Sequence, residues 1–446
     1  MKQAQAATSP RTHVVRAAAG NFLEMYDFAV YGFYASAIAT AIFPSGNEFV
    51  SMMLSFLTFG VGFLMRPLGA IVLGAYMDRR GRRAGLILSL VVMSVGVAII
   101  AVVPGYRTIG IAAPILVVLS RLLQGFSAGA ESSGVSVYLA EIATPGRRGL
   151  YVSWQSASQQ VSVVFAAVVG VALSGLLSDD ALNSWGWRVP FLIGSLIVPF
   201  LFWIRRTLPE TESFTRRTRS AAPSLRTVYR SLLGAWPVIL TAVGLVTLTS
   251  VMFYLITAYT PTFGERELKL SYLAVFVVTV CVGVSNFVWI PVMGALSDRL
   301  GRVPLLAGSA AVVLLVSYPL MLWLVADPSF GRLLGVLLLL SFLYGGYQGA
   351  MVVTLTEIMP TRVRASGFAI AYSLAQAIFG GFTPAIATWL IHTFGNNAAM
   401  PGAWLSLSAL LSLVAVLVVH RRGLLRRTAD ATAEPAPDAV PARPAR

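Results

Sequence analysis

Two nine-residue stretches decide the fold: residues 74–82 read GAYMDRRGR, and residues 294–302 read GALSDRLGR. Each follows a long apolar segment, and the second copy lies 220 positions after the first at every matched residue. A second, shorter repeat pairs Glu141-Ile142 with Glu357-Ile358, and proline and arginine follow both copies. The chain therefore contains a parallel repeat, which is typical of transporters built from two related helix bundles.

The composition indicates a membrane protein. Of 446 residues, 57% are hydrophobic and 11% are charged, and the mean hydropathy is +0.77. Soluble domains carry about 25% charged residues. The single cysteine, Cys281, excludes a disulfide framework and a thiolate metal site, and we expect no metal. We predict twelve apolar spans, most of them long enough to cross hydrocarbon, at residues 17–42, 49–77, 84–104, 110–141, 151–177, 187–205, 232–262, 271–297, 303–326, 332–357, 365–392 and 399–420.

The basic residues predict the orientation. Of the 33 lysines and arginines, 26 fall in loops and termini on one side, five fall on the other, and Arg66 and Arg121 lie inside spans. Cytoplasmic loops carry the excess of basic residues. We therefore expect both termini in the cytoplasm and the chain in the cytoplasmic (inner) membrane. The net charge of +15 reflects this topology, so nucleic-acid binding is not expected.

A polar, basic segment divides six spans from six. The predicted fold class is an all-α membrane protein with twelve transmembrane helices in two six-helix bundles, with the substrate site between them near the midplane. The expected organisation is a cytoplasmic N-terminal segment at 1–16, a bundle at 17–205, a cytoplasmic linker at 206–231, a second bundle at 232–420 and a disordered tail at 421–446.

These motifs, together with RLLQG at 121–125, resemble the signature of the major facilitator superfamily. Further stretches resemble its metabolite:proton symporter family, and within it the citrate and tricarballylate branch: GNFLEMYDF at 20–28, GFLMRP at 62–67, EIATPG at 141–146, SWQSASQQ at 153–160, FYLIT at 253–257 and FGGFTP at 379–384. The resemblance implies proton-driven import of citrate or a related tricarboxylate by alternating access. Two alternatives stay open, namely another small metabolite (a dicarboxylate, shikimate or a betaine) and a transporter-like receptor.

Five ionisable residues lie inside the spans away from their ends, all in the first half: Glu24, Asp27, Arg66, Arg121 and Glu131. Each costs about 2.5–3.5 kcal/mol at the centre of a helix, so each should face a polar cavity or another charge. The planar guanidinium of arginine binds a carboxylate through two hydrogen bonds. Arg121 and Arg66 are therefore candidate substrate ligands. Alternatively, each arginine pairs structurally with an inner carboxylate.

The three acidic residues are candidate proton carriers. Glu24 and Asp27 share one face of a helix, and adjacent carboxylates disfavour joint ionisation. Glu131 lies ten residues beyond Arg121, about 15 Å along the same helix. In the alternative, Glu24 and Glu131 satisfy arginine or polar side chains and never titrate. No cofactor is expected besides the driving proton gradient, and sodium coupling stays open.

Polar side chains in the spans are further candidate substrate contacts. They could instead be hydrogen bonds between membrane helices, worth about 0.6 kcal/mol each. The candidates are Asn21, Tyr26, Gln124, Gln155, Ser158, Gln159, Tyr254, Thr257, Tyr347, Gln348, Tyr372 and Gln376.

The repeated motif at the basic membrane edge predicts gating, because a carboxylate there can lodge at the positive N-terminus of a helix in the other half. For Asp78 the expected helix is span 11. The candidate gating residues are Asp78, Arg79, Arg82, Asp298 and Arg302. We find no Walker or HExxH motif, so we expect neither ATP coupling nor an enzyme. The expected partners are a small carboxylate and the lipid bilayer, and the expected functional unit is a monomer.

Overall fold

The computed structural model describes residues 22–80, 82–129, 136, 139–140, 143–144, 146–207, 234–360 and 364–425, apart from the side chains of residues 75, 78, 79, 82, 204–207 and 365. The predicted N-terminal segment and nearly all of the predicted linker and tail lie outside the described residues. The predicted domain boundaries therefore stay predictions.

Every predicted span has a helix in the described part of the chain. We number the spans 1 to 12 in chain order: Phe22–Phe33 with Ala35–Ile42, Glu48–Leu64 with Arg66–Arg80, Arg82–Val102, Ala112–Ala128, Arg148–Leu176, Val189–Thr207, Trp236–Ile256, Tyr272–Leu300, Arg302–Ala326, Phe330–Ile358, Arg364–Ala375 with Thr383–Thr393, and Met400–Arg421. Ten of the described helices are long and apolar enough to cross a membrane, and Ala112–Ala128 is a shorter apolar helix. The described residues contain no strand.

Several spans are interrupted where the sequence analysis predicts continuous helix. Span 2 breaks at Met65, because Pro67 has no N–H with which to continue the hydrogen-bond ladder. The predicted span at 232–262 ends early, at Ile256, and a short helix at Thr260–Arg266 follows, with Pro261 as its second residue. Span 11 contains a π-helical turn, Gln376–Gly380, before its second segment. Such turns occur often at functional sites.

Spans 2 and 4 cross in close contact through glycines. A Cβ added at Gly125 would overlap the carbonyl oxygen of Gly62, and a Cβ added at Gly129 would overlap that of Arg66. Small residues allow membrane helices to approach at backbone distance. This crossing brings the helix that carries Arg121 against the helix that carries Arg66.

Candidate substrate-binding site

The acidic face of span 1 meets an arginine at each of its two carboxylates. Arg66 Nη2 lies 3.1 Å from Glu24 Oε1, and Arg121 Nη1 lies 3.0 Å from Asp27 Oδ2. All four side chains are at most 3% exposed. Buried charges require partners of this kind, because desolvation otherwise makes them costly. The structure therefore contains the arginine–carboxylate pairs that were the alternative to direct substrate contact.

Arg121 is held by residues of the first half. Gln124, one turn along span 4, donates a hydrogen bond of 3.2 Å to Asp27 Oδ1 and so fixes the carboxylate. The guanidinium lies 4.2 Å from the ring centre of Tyr31 and 5.7 Å from that of Phe28. Among the residues that the structure describes, Nε and Nη2 of Arg121 have no hydrogen-bond acceptor. These donors remain available to an anionic ligand.

Arg66 lies where the two halves meet. The break at Met65 places it at the start of a helical segment, with its guanidinium 4.3 Å from the Phe63 ring centre and 4.8 Å from that of Phe28. Tyr254 of span 7 and Tyr372 of span 11 both interact with it. No acceptor within the described ranges bonds its Nε atom. A ligand at Arg66 would therefore contact both halves of the protein.

The π-helical turn of span 11 carries Gln376 into the same region. Gln376 interacts with Tyr372 and is 5% exposed. Its Oε1 atom has no hydrogen-bond partner in the described part of the chain. A Cβ added at Gly380 would meet both Gln376 Oε1 and the Tyr254 ring, so these groups converge on one glycine.

Gln348 of span 10 joins the halves through its amide. Nε2 donates to Ser156 Oγ of span 5 over 2.8 Å, while Oε1 accepts from the hydroxyl of Thr249 in span 7. Gln348 was predicted as a substrate contact, and the structure places it in an interhelical hydrogen-bond network.

A second polar network crosses between the halves beside the first. Asn286 of span 8 donates to Gln160 of span 5 over 3.2 Å and accepts from Ser341 of span 10 over 2.7 Å. Gln155 and Gln159 were predicted as substrate contacts, whereas Ser156 and Gln160 were not. The missed pair has the same i, i+4 spacing on the adjacent face of the helix, and that spacing was the signal available.

Several predicted substrate contacts have their polar groups engaged elsewhere. The hydroxyls of Tyr26 and Tyr347 donate over 2.8 Å to the carbonyls of Pro190 and Leu245. Ser158 and Thr257 donate to carbonyls of their own helices, and Gln155 accepts from Ser156. Gln159 is buried. Asn21 and Glu131 lie outside the described residues, as do the side chains of Asp78, Arg79 and Arg82.

Contacts between the halves close the molecule at the end where spans 5 and 9 begin, which we call the basic end. Asp298 accepts hydrogen bonds from the backbone N–H groups of Gly149 at 2.8 Å and Leu150 at 3.0 Å, at the N-terminus of span 5. A carboxylate is favoured at this position by the helix dipole. Arg302 holds Asp298 at 2.8 Å and Glu357 at 3.1 Å. The gating role of these residues stays a prediction.

Different contacts close the opposite end. Arg266, in the short helix after span 7, forms an ion pair with Glu48 at the start of span 2. Its Nε atom also donates to Ser36 Oγ of span 1 over 2.7 Å. The buried charges therefore lie between two closed ends. No group of three or more His, Cys, Asp or Glu side chains within the described ranges could hold a metal ion.

The comparison with known families identifies this arrangement. The family model of the Major Facilitator Superfamily matches residues 17–384. The chain belongs to the Major Facilitator Superfamily. The resemblance found in the sequence motifs is thereby confirmed at the level of the superfamily, and the described helices make this superfamily member a multi-pass membrane protein.

Curated relatives of this superfamily member are transporters. It is 53% identical over 409 residues to the citrate-proton symporter of Klebsiella pneumoniae, covering 92% of this chain and 91% of the relative. It is 34% identical to the alpha-ketoglutarate permease of Escherichia coli (strain K12), covering 92% of this chain and 94% of that protein.

A solved structure supports the superfamily fold. The crystal structure of a D-xylose-proton symporter matches with a TM-score of 0.72 and 21% sequence identity, covering 91% of this chain and 97% of that one. At this identity the match supports the fold alone. The predicted major facilitator fold of two six-helix bundles is confirmed.

Proposed function

We propose that this chain is a proton-coupled symporter that imports citrate or a related tricarboxylate across the cytoplasmic membrane by alternating access. The observation that carries the proposal is the pair of buried guanidinium groups, Arg66 and Arg121, each held beside one carboxylate with donor atoms that no described residue accepts. The 53% identity to a citrate-proton symporter supports the same substrate class.

Competition for the arginines would couple the proton to the substrate. An entering carboxylate takes the place of Glu24 or Asp27 on a guanidinium. The displaced side chain is then a buried carboxylate without a cation, and desolvation and the negative charge of the substrate both favour its protonation. Binding of the anion and uptake of the proton thus favour each other.

The two closed ends provide the gates. In the proposed cycle the halves rock about the site, and Arg266–Glu48 separates when the site opens outward, whereas Asp298 leaves the span 5 N-terminus when it opens inward. Both termini and the basic end face the cytoplasm, as the distribution of arginine indicates. In this proposal the functional unit is a monomer that needs neither cofactor nor ATP and catalyses no chemical reaction.

Uptake of labelled citrate into proteoliposomes tests the proposal. We expect accumulation with an imposed pH gradient and none with a sodium gradient alone. Arg121→Lys and Arg66→Lys should each lower uptake at least about tenfold, because an ammonium group cannot reproduce the bidentate fork. Arg332→Lys is the matched control, since Arg332 pairs with Asp327 at the edge of the second half. Sodium-driven uptake, or none, would contradict the proposal.

A dicarboxylate is the second candidate substrate, and the 34% identity to the alpha-ketoglutarate permease favours it. Unlabelled alpha-ketoglutarate, citrate and betaine should be compared as competitors in the same vesicles. The tricarboxylate assignment requires citrate to compete at the lowest concentration of the three.

A further inference from the structure

Gln376 presents a hydrogen-bond acceptor that the described residues leave unused. Its side chain is 5% exposed, and its Oε1 atom has no partner among the described residues. Leaving such a group buried without a donor is unfavourable by more than a typical hydrogen bond contributes. A donor belonging to a ligand would satisfy it.

The amide is held in a fixed position. The Gln376 carbonyl accepts from Gly381 N over 2.9 Å to form the π-helical turn, and the side-chain amide interacts with Tyr372. Because Gly380 has no Cβ, Oε1 can lie in the space that one would fill, beside the Tyr254 ring. The acceptor is therefore preorganised rather than free to rotate toward other partners.

An unused donor lies in the same neighbourhood. Tyr372 interacts with both Gln376 and Arg66, and Tyr254 also interacts with Arg66. Arg66 Nε is buried without an acceptor in the described ranges. A site that combines a guanidinium donor with a neutral acceptor matches a carbon bearing both a carboxylate and a hydroxyl. The carboxylate accepts from arginine, and the hydroxyl donates to the amide oxygen.

We propose that Gln376 and Arg66 together recognise the hydroxyl-bearing carbon of a hydroxy-tricarboxylate, so that Gln376 distinguishes citrate from propane-1,2,3-tricarboxylate (tricarballylate). This inference rests on the proposed transport of tricarboxylates and names the group within that site which reads the hydroxyl. The two compounds carry the same three carboxylates and differ by the single hydroxyl. A polar site that requires a hydroxyl discriminates strongly against the analogue lacking it.

Competition in counterflow tests this subsite. Proteoliposomes preloaded with citrate exchange labelled citrate against increasing external citrate or tricarballylate, and the ratio of the two half-inhibitory concentrations is measured. In the wild type, tricarballylate should require at least roughly tenfold more ligand. In Gln376→Met, which keeps the length of the side chain but removes the acceptor, the ratio should approach one.

Gln160→Met is the matched control, because Gln160 is a buried glutamine bonded to Asn286 in the network between the halves. It should change both half-inhibitory concentrations by one factor and leave their ratio at the wild-type value. The wild-type ratio is informative even when a variant does not fold. Equal competition in the wild type, or a ratio that Gln376→Met leaves unchanged, overturns the inference while the transport proposal stands. If neither compound is exchanged, both the inference about Gln376 and the transport proposal are overturned.

Discussion

Both carboxylate oxygens of Asp27 have a partner, since Arg121 lies beside Oδ2 and Gln124 donates to Oδ1. Asp27→Asn keeps the shape of the side chain but can no longer take up a proton. We therefore expect counterflow of citrate to persist within about threefold, whereas uphill accumulation driven by a pH gradient is lost. The two measurements use the same proteoliposomes.

Asp180→Asn is the control for this change, because Asp180 is an exposed carboxylate in the short helix Asp179–Ser184. It should retain both activities. If Asp27→Asn still accumulates citrate against its gradient, Asp27 does not carry the proton, and the assignment passes to Glu24 or Glu131.

Glu265, at the end of the molecule opposite the basic end, predicts a dependence of stability on pH. Burial raises its pKa above the ordinary value of 4.5, against the lowering effect of Arg266 and Lys269. Between the two pKa values the folded protein binds more protons than the unfolded chain, so the free energy of unfolding decreases as pH rises through that window. We expect Tm in detergent to fall over this range and Glu265→Gln to flatten the curve.

Glu267 has a pKa raised by burial in the same way, so the double variant Glu265→Gln with Glu267→Gln should flatten the curve further. Asp179→Asn, at an exposed position of the same end, should leave the slope as it is. A rise of Tm with pH in the wild type would contradict the sign of the prediction.

The residues of the site could be predicted from sequence wherever their presence in a membrane span is costly. Arg66, Arg121, Glu24 and Asp27 stood out for this reason, and the structure brings all four together. Their pairing could not be predicted, because either carboxylate of span 1 could reach either arginine until the rotation of the helices is known. Ser156 was missed, since its contact with Gln348 depends on the register between spans 5 and 10.

The position of each helix depends on its closest contacts with its neighbours. A substitution at the crossing of spans 2 and 4 tests this dependence. Gly125→Ala places a methyl group where it overlaps the Gly62 carbonyl, so the helices must separate. We expect destabilisation of about 1–3 kcal/mol, measured by thermal unfolding in detergent, together with loss of uptake. Displacement of span 4 would also move Arg121 away from Asp27.

Gly308→Ala provides the comparison at the same scale. Gly308 is a helical glycine in span 9, and apart from its own helical turn no atom of the described residues lies within 4 Å of an added Cβ. Replacing it should be neutral or stabilising by up to about 1 kcal/mol, because alanine loses less conformational entropy than glycine when a helix forms. Equal losses in the two variants would mean that the glycine contact does not determine the crossing.

The spans themselves were predictable, because hydrocarbon thickness sets their length. The interruptions at Tyr34, Met65 and Gln376–Gly380 were not predicted. All three lie inside predicted apolar spans, so hydropathy averaged over a span does not mark them. Their geometry follows from prolines and from packing against other spans, such as Gly381 of span 11 against Phe63 of span 2.

At the scale of the whole molecule, the contacts at its two ends should set the balance between outward-open and inward-open states. Arg266→Ala removes an ion pair whose Glu48 side chain is 78% exposed. We therefore expect the equilibrium to shift toward the outward-open state by roughly 0.2–1 kcal/mol, which is up to about fivefold in the ratio of molecules closed and open at this end. Spin labels at Thr108 and Thr393, in a Cys281→Ser background, report the distance between the halves at this end.

Asp298→Asn acts at the basic end and should shift the equilibrium toward the inward-open state. Its effect should be larger, because Asp298 accepts two backbone hydrogen bonds and is 6% exposed. Arg332→Ala removes an ion pair within the second half and should leave the distance distribution unchanged. If Arg266→Ala and Arg332→Ala behave alike, the contact with Glu48 is not a gate.

The division of the molecule into two bundles was predictable, because the repeated motifs record it directly. The networks that join the bundles were not, since Gln160 and Asn286 belong to different halves and the motif repeat does not relate them.

The pairing of span 1 with two different helices also constrains the order of membrane insertion. Span 1 enters the bilayer first and brings both acidic side chains with it. Glu24 can pair with Arg66 once span 2 has been inserted, whereas Asp27 has no Arg121 to pair with until spans 3 and 4 have been synthesised. During that interval the neutral acid is the form that hydrocarbon tolerates. Asp27 would therefore have to keep its proton until Arg121 is inserted beside it.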